Sequence, residues 1–195
     1  MIDEETIEII EPATPWQHIR PIGEDIVQEE MLFPQGHILR PADLGVLLAS
    51  QQLQIPVAKK PVVAIIPTGN ELIEANSELS SGKIIEFNGT VFANFIKDWG
   101  GEPRLRRIVK DDPENIKSVL LEAAQDSDII VINAGSSAGS KDYTVHIIGE
   151  IGTVFTHGVA ARPGKPVILG KINEKIVVGV PGYPVSPYLA LEWFV

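Results

Sequence analysis

The sequence contains no cysteine, which excludes disulfide bonds, thiolate metal ligands and a cysteine nucleophile. It also lacks an apolar run close to the roughly 20 residues that a membrane-spanning helix needs. Its acidic start differs from the basic and apolar start of a secretory signal. A net charge of −10 disfavours nucleic acid as a partner, because most of such a surface repels a polyanion. We therefore expect a cytoplasmic protein that binds neither membrane nor nucleic acid.

Three common ligand-binding motifs are missing as well. No glycine-rich run leads into Gly-Lys-Ser/Thr at the Walker spacing, and Gly-x-Gly-x-x-Gly is absent. The four histidines are scattered and show no zinc-binding spacing. A small anionic ligand remains possible, because backbone N–H groups, a helix N-terminus and a few local cations can hold phosphate within an acidic protein.

The first 57 residues differ from the rest in their proline content and in the length of their apolar segments. Five prolines lie between positions 12 and 41, and the short apolar pieces between them suit strands or extended arms. Only residues 41–52 predict a helix, with proline at its start. We expect residues 1–57 to be a partial N-terminal segment, the end of a preceding domain, that packs poorly by itself.

From residue 58 onward, strands and helices alternate. Residues 62–66 are a continuous apolar run, and residues 128–133 contain four apolar residues in a row between Asp128 and Asn133, a pattern typical of neighbouring parallel strands that are buried on both faces. The alternation predicts an α/β fold, a three-layer sandwich with a mostly parallel sheet, over residues 58–195. Because the chain stops within a predicted helix, we expect this domain to be truncated at its C-terminus.

One predicted helix covers residues 87–99, where Phe92, Phe95 and Trp99 form an apolar stripe that we expect to lie in the core. Asn88 is the expected N-cap, because asparagine is a favoured capping residue. The pair of glycines at 100 and 101 ends the helix.

Four loops lie where α/β proteins bind ligands, beyond the carboxyl ends of strands. They cover residues 68–72, 110–113, 134–143 and 179–186, and a basic turn at residues 161–166 lies between the last two. In the third loop, Gly135 and Gly139 allow close backbone approach, and Ser136 and Ser137 add hydroxyl donors ahead of a helix. This pattern fits an anion site, and it equally fits a glycine-rich turn that binds nothing.

Carboxylates lie in three of these regions, at Glu71, at Asp111 with Asp112, and at Asp142. Beside a phosphate they suggest Mg²⁺, which takes one or two carboxylates plus phosphate and water oxygens. The alternative for the three aspartates is helix capping. Lys165 could supply a point charge to phosphate or could simply face solvent.

Five runs, taken together and in order, resemble the molybdopterin-binding fold of molybdopterin molybdenumtransferases (MoeA type) and molybdopterin adenylyltransferases (MogA type). The runs are residues 67–72 (PTGNEL), 111–113 (DDP), 133–144 (NAGSSAGSKDYT), 161–166 (ARPGKP) and 180–186 (VPGYPVS). The segments at residues 16–27, 34–36 and 40–48 resemble the stretch that leads into this domain in the molybdenumtransferases, which the stand-alone adenylyltransferases lack. The run with Tyr183 resembles a subgroup fused to a periplasmic-binding-like module.

The resemblance implies insertion of molybdate into adenylylated molybdopterin with release of AMP, assisted by Mg²⁺. It implies catalytic roles for Glu71, Asp111, Asp112 and Asp142, of which Glu71, Asp112 and Asp142 would bind the metal. The residues that it implies around the cofactor are Thr68, Gly69, Gly135, Ser136, Ser137, Gly139, Lys165, Pro181 and Gly182. Two departures weaken individual roles: Asn70 stands where many members have Asp, and residues 136–138 (SSA) replace the commoner Gly-Val-Ser.

Two alternatives stay open at this point. The same loops could serve ATP-dependent adenylylation of molybdopterin, or a non-catalytic module that senses the cofactor. By resemblance we also expect a homodimer and an adenylyltransferase as a possible partner enzyme.

Overall fold

The computed structural model describes residues 5–133, 143–183 and 185–195, and the chain divides into two units, Met1–Ala58 and Lys59–Val195. Within the described part of the first unit, one regular element forms, helix α1 (Pro41–Ala49). It ends three residues before the end predicted from the sequence. Among residues 5–50 only Asp43 and Leu47 are buried, as expected for a segment with little apolar material.

The start of α1 is held by one buried carboxylate. The Asp43 carboxylate accepts hydrogen bonds from the backbone N–H of Arg40 at 2.8 Å and from the Arg40 guanidinium at 3.1 Å. The His37 ring nitrogen lies 2.7 Å from the same group. The Arg40 side chain beside it, with these further hydrogen bonds, holds the pKa of Asp43 well below its usual range.

The described residues of the second unit form eight strands: β1 (Val62–Pro67), β2 (Leu72–Ile73), β3 (Ile84–Ile85), β4 (Glu102–Leu105), β5 (Ile129–Asn133), β6 (Thr153–His157), β7 (Ile168–Ile172) and β8 (Lys175–Val180). Six of them form one sheet with the strand order β4-β1-β5-β8-β7-β6. Strand β1 pairs in parallel with β4 and β5, and β5 pairs in parallel with β8, whereas β7 runs antiparallel to β6 and β8. The predicted adjacent parallel strands are β1 and β5.

Helices cover both faces of this sheet, which gives the three predicted layers. Strand residues alternate between the two faces: Val63 and Ile65 pack with α2 (Asn88–Asp98) and α5 (Val185–Phe194), whereas Ala64 and Ile66 pack with α3 (Pro113–Asp126) and α4 (Tyr143–Ile151). No helix among the described residues has the length and apolar character required to cross a membrane.

Helix α2 differs from its prediction in two respects. Phe92 and Ile96 are fully buried, but Phe95 and Trp99 stack on each other and are 37% and 47% exposed, so the core stripe is narrower than expected. Asn88 is the first helical residue rather than the N-cap. The cap position is occupied by Phe87, and the Glu86 carboxylate accepts a hydrogen bond from the Gly89 N–H at 2.8 Å instead.

Two short strands, β2 (Leu72–Ile73) and β3 (Ile84–Ile85), form a separate parallel pair that the sequence pattern did not predict. Two residues are too few to show a periodic signal. This pair fixes the chain directly after Glu71, because the Glu71 carbonyl accepts a hydrogen bond from the Ile84 N–H at 2.9 Å.

Candidate functional site

The predicted ligand loops leave the sheet at one edge. Pro67, Asn133 and Val180, the last residues of β1, β5 and β8, pair with one another in register. Strand β6 runs in the same direction, because antiparallel β7 separates it from β8, and Ile168 pairs with both His157 and Gly179. The loops after all four strands therefore begin at the carboxyl edge, the usual ligand side of such a sheet.

Thr68 joins two of these strand ends. Its hydroxyl and its backbone N–H both donate to the Asn133 carbonyl, at 2.8 and 3.1 Å, and the residue is buried. The N–H of Gly69 donates to the carbonyl of Val109 at 3.0 Å. The described structure thus uses these donors to fix the loop backbone.

Glu71 and Asp111 are brought together across 40 residues of sequence. The backbone N–H of Asp111 donates to Oδ1 of Asn70 at 3.3 Å, which holds the two loops side by side. Partial desolvation is the main cause that raises the pKa of Asp111 above its ordinary value, and repulsion from the Glu71 carboxylate raises it further. The Glu71 carboxylate lies over Gly69, where a Cβ would come within 3.0 Å of it. Two carboxylates therefore share this site.

Asp112 has a different role in the described structure. It is the N-cap of α3, and its Oδ1 accepts a hydrogen bond from the Asn115 N–H at 3.0 Å, with Pro113 following in the first turn. Of the two neighbouring aspartates, Asp111 lies beside Glu71 and Asp112 caps the helix. The sequence left this choice open.

One cation at the site was missed. The Lys83 ammonium donates to the carbonyl of Asn70, the residue before Glu71, at 2.8 Å, which places a positive charge at this loop. A single lysine in a polar turn gave no signal for this contact. Lys165, the predicted cation, is exposed in the loop between β6 and β7, where its carbonyl accepts from the N–H groups of Val159 and Val167.

The loop after β8 is anchored from α2. Pro181 is buried and Gly182 is exposed, and the Gly182 carbonyl accepts a hydrogen bond from Nδ2 of Asn88 at 3.2 Å. Sequence reasoning assigned Asn88 to capping and so missed this contact.

Five predicted site residues lie outside the described residues. They are Gly135, Ser136, Ser137, Gly139 and Asp142. Within the described ranges, no group of three or more His, Asp or Glu side chains is arranged to hold a metal ion by itself.

Two family models match the chain. A model described as a probable molybdopterin-binding domain matches residues 64–195, and a model of the MoeA N-terminal region, domains I and II, matches residues 1–50. The first covers most of the unit that carries the sheet and all of its strand-end loops.

Curated relatives match most of the chain. The chain is 33% identical over 84% of its length to a molybdopterin molybdenumtransferase of Nostoc, and 31% identical over 98% of its length to molybdopterin molybdenumtransferase 2 of Mycobacterium tuberculosis. It covers 38% and 49% of those proteins, so it spans about half the length of the curated relatives it matches or less.

Solved structures agree in fold. A molybdopterin biosynthesis MoeA protein from Pyrococcus horikoshii superimposes with a TM-score of 0.79 at 35% identity, over 94% of this chain and 46% of that one. A MoaB protein from Pyrococcus furiosus, at 18% identity and a TM-score of 0.56 over 70% of this chain and 91% of that one, shares the fold alone. The chain belongs to the molybdopterin-binding domain family and, within it, to the MoeA-type proteins that include the molybdopterin molybdenumtransferases.

Proposed function

We propose that this chain carries the reaction site of an enzyme that inserts molybdate into adenylylated molybdopterin and releases AMP. The observation that carries the proposal is that the Glu71 and Asp111 carboxylates repel each other and lie in loops joined by the hydrogen bond from Asp111 to Asn70, at the carboxyl edge of a molybdopterin-binding sheet. A pure binding module has little use for two carboxylates that repel each other, because their repulsion raises the free energy of the unliganded site.

The described residues fit Mg²⁺ at this pair. Mg²⁺ usually takes one or two protein carboxylates and completes its shell with phosphate and water oxygens, so the absence of a larger cluster among the described residues agrees with such a site. A cation would also remove the repulsion that raises the pKa of Asp111. When bound, Mg²⁺ would neutralise charge on the phosphate and on the oxyanion substrate.

The protein's own residues then have separate tasks. Glu71 and Asp111 hold the cation site, and Lys83 and Lys165 lie in loops that can contribute positive charge toward phosphate and molybdate. Thr68 and Gly69 keep the loop backbone in place. The ligand roles of Asp112, Asp142, Gly135, Ser136, Ser137, Gly139, Pro181 and Gly182 stay proposals that rest on the family resemblance.

The decisive experiment supplies adenylylated molybdopterin and molybdate to the whole protein and measures AMP release. We expect release that depends on molybdate and Mg²⁺, and a loss of roughly two orders of magnitude in Asp111→Asn. Asp98→Asn, which removes an exposed carboxylate at the end of α2, is the matched control and should behave as wild type. Pyrophosphate release from ATP and molybdopterin, without AMP release, would contradict the proposal and favour adenylylation.

Four further expectations remain proposals from the family resemblance and the sequence. They are a homodimeric assembly, an adenylyltransferase partner that delivers the substrate, a cytoplasmic location, and fusion to a periplasmic-binding-like module.

A further inference from the structure

Asn88 carries one satisfied and one unsatisfied polar atom on the same side chain. Its Nδ2 donates to the Gly182 carbonyl at 3.2 Å, across 94 residues of sequence. Its Oδ1 is buried and has no hydrogen-bond partner among the described residues, and the residue as a whole is 6% exposed. A buried amide oxygen without a donor is energetically unfavourable, so this atom calls for an explanation.

Helix capping does not explain it. The N-cap position of α2 belongs to Phe87, and the Glu86 carboxylate already accepts the hydrogen bond from Gly89 in the first turn. The amide orientation is also fixed, because a flip would place Oδ1 against the Gly182 carbonyl and set two acceptors face to face. The oxygen is therefore held in place with its acceptor capacity unused.

The position of Asn88 connects this oxygen with the ligand site. Gly182 lies two residues beyond β8, at the same sheet edge as Glu71 and Asp111. A fixed and buried acceptor suits a ligand that brings its own N–H donors and excludes water. A pterin ring has such donors in its exocyclic amino group and ring N–H.

We propose that Oδ1 of Asn88 accepts a hydrogen bond from an N–H donor of the pterin ring system. The hydrogen bond from Nδ2 to the Gly182 carbonyl fixes the position of Oδ1 relative to the loop after β8. This inference rests on the proposed function, because it takes molybdopterin as the ligand. Asn88 would then recognise the pterin heterocycle, whereas the carboxylates and lysines of the site would act at the charged phosphate end of the ligand.

The test measures the affinity of the whole protein for molybdopterin by anaerobic calorimetry. Asn88→Ser removes both amide atoms and leaves a small polar side chain in the first helical turn, and we expect binding at least about tenfold weaker. Asn94→Ser is the matched control: Asn94 lies on the same helix and its amide donates only to the local Thr90 carbonyl, at 2.8 Å. We expect the affinity of Asn94→Ser for molybdopterin to lie within about twofold of the wild-type value.

Asn88→Asp separates recognition from a structural effect. At pH about 8 the new carboxylate keeps an acceptor oxygen for the pterin N–H but can no longer donate to Gly182. If the acceptor carries recognition, Asn88→Asp should bind molybdopterin more tightly than Asn88→Ser does at this pH.

Each outcome decides the question. If wild type binds molybdopterin and Asn88→Ser binds equally well, this inference is overturned while the proposed function stands. Binding by Asn88→Asp that is no tighter than that of Asn88→Ser, or an equal loss in Asn94→Ser, would also overturn it. If wild type itself does not bind molybdopterin, the proposed function fails.

Discussion

The neighbouring carboxylates Asp111 and Asp112 allow a sharp separation of stability from chemistry. The structure gives Asp112 the N-cap of α3, through the 3.0 Å hydrogen bond to Asn115, and places Asp111 beside Glu71. Removing the cap in Asp112→Ala should lower the free energy of unfolding by about 1 kcal/mol. For a unit of this size such a loss lowers the melting temperature by about 3 °C.

Asp112→Ser is the matched variant, because its hydroxyl can accept the same hydrogen bond without a charge. We expect it to melt within about 1 °C of wild type and to keep most of the molybdate-dependent AMP release. Asp111→Asn should show the opposite pattern, with activity reduced roughly a hundredfold and no loss of melting temperature.

Calorimetric melting tests the stability prediction, and the AMP-release assay on the same preparations tests the activity prediction. If Asp112→Ala melts like wild type, the capping argument is wrong. If Asp112→Ser loses as much activity as Asp111→Asn, the Asp112 carboxylate takes part in the reaction, as the family resemblance first implied, and the division between the two residues is refuted.

Four further predictions concern the site and its support. The folded-state pKa of Asp111 is raised, so ionisation of Asp111 destabilises the native state. Asp111→Asn should therefore be more stable than wild type at pH 7, and this difference in stability should disappear below about pH 4. Melting curves at both pH values test this, and equal melting temperatures of the two proteins at pH 7 would contradict the reasoning. In Gly69→Ala the new Cβ would lie 3.0 Å from the Glu71 carboxylate, so it should displace this carboxylate and reduce Mg²⁺-dependent activity. Because φ of Gly69 is +155°, we also expect a stability loss of about 1 kcal/mol. Unchanged Mg²⁺ titration curves would contradict this prediction. Asp142→Ala should abolish molybdenum insertion and cost at most about 1 kcal/mol in stability, as for a lost cap; full AMP release in this variant would remove Asp142 from the site. Gly152→Ala should lower the free energy of unfolding by about 1–3 kcal/mol or more, since its Cβ would collide with the Lys171 carbonyl; a wild-type urea midpoint would show that the junction between α4 and β6 adapts.

Much of the fold was determined by the sequence alone, because its signals are local. Residues 62–66 and 129–132 are apolar without interruption, which predicts buried parallel strands, and they lie in the adjacent strands β1 and β5. The proline after Asp112 and the glycines after α2 similarly marked a helix start and a helix end. The order of the loop motifs indicated the family, since such motifs are read along the chain.

The tertiary structure alone decided which polar groups meet. The pairing of Glu71 with Asp111, the contact of Lys83 with Asn70, and the hydrogen bond from Asn88 to Gly182 join residues that are between 13 and 94 positions apart. Each depends on the register in which strands end at the carboxyl edge and on the path of the loops beyond it. No local periodicity encodes that register, because strand pairing is set by packing of both sheet faces against helices that lie elsewhere in the sequence.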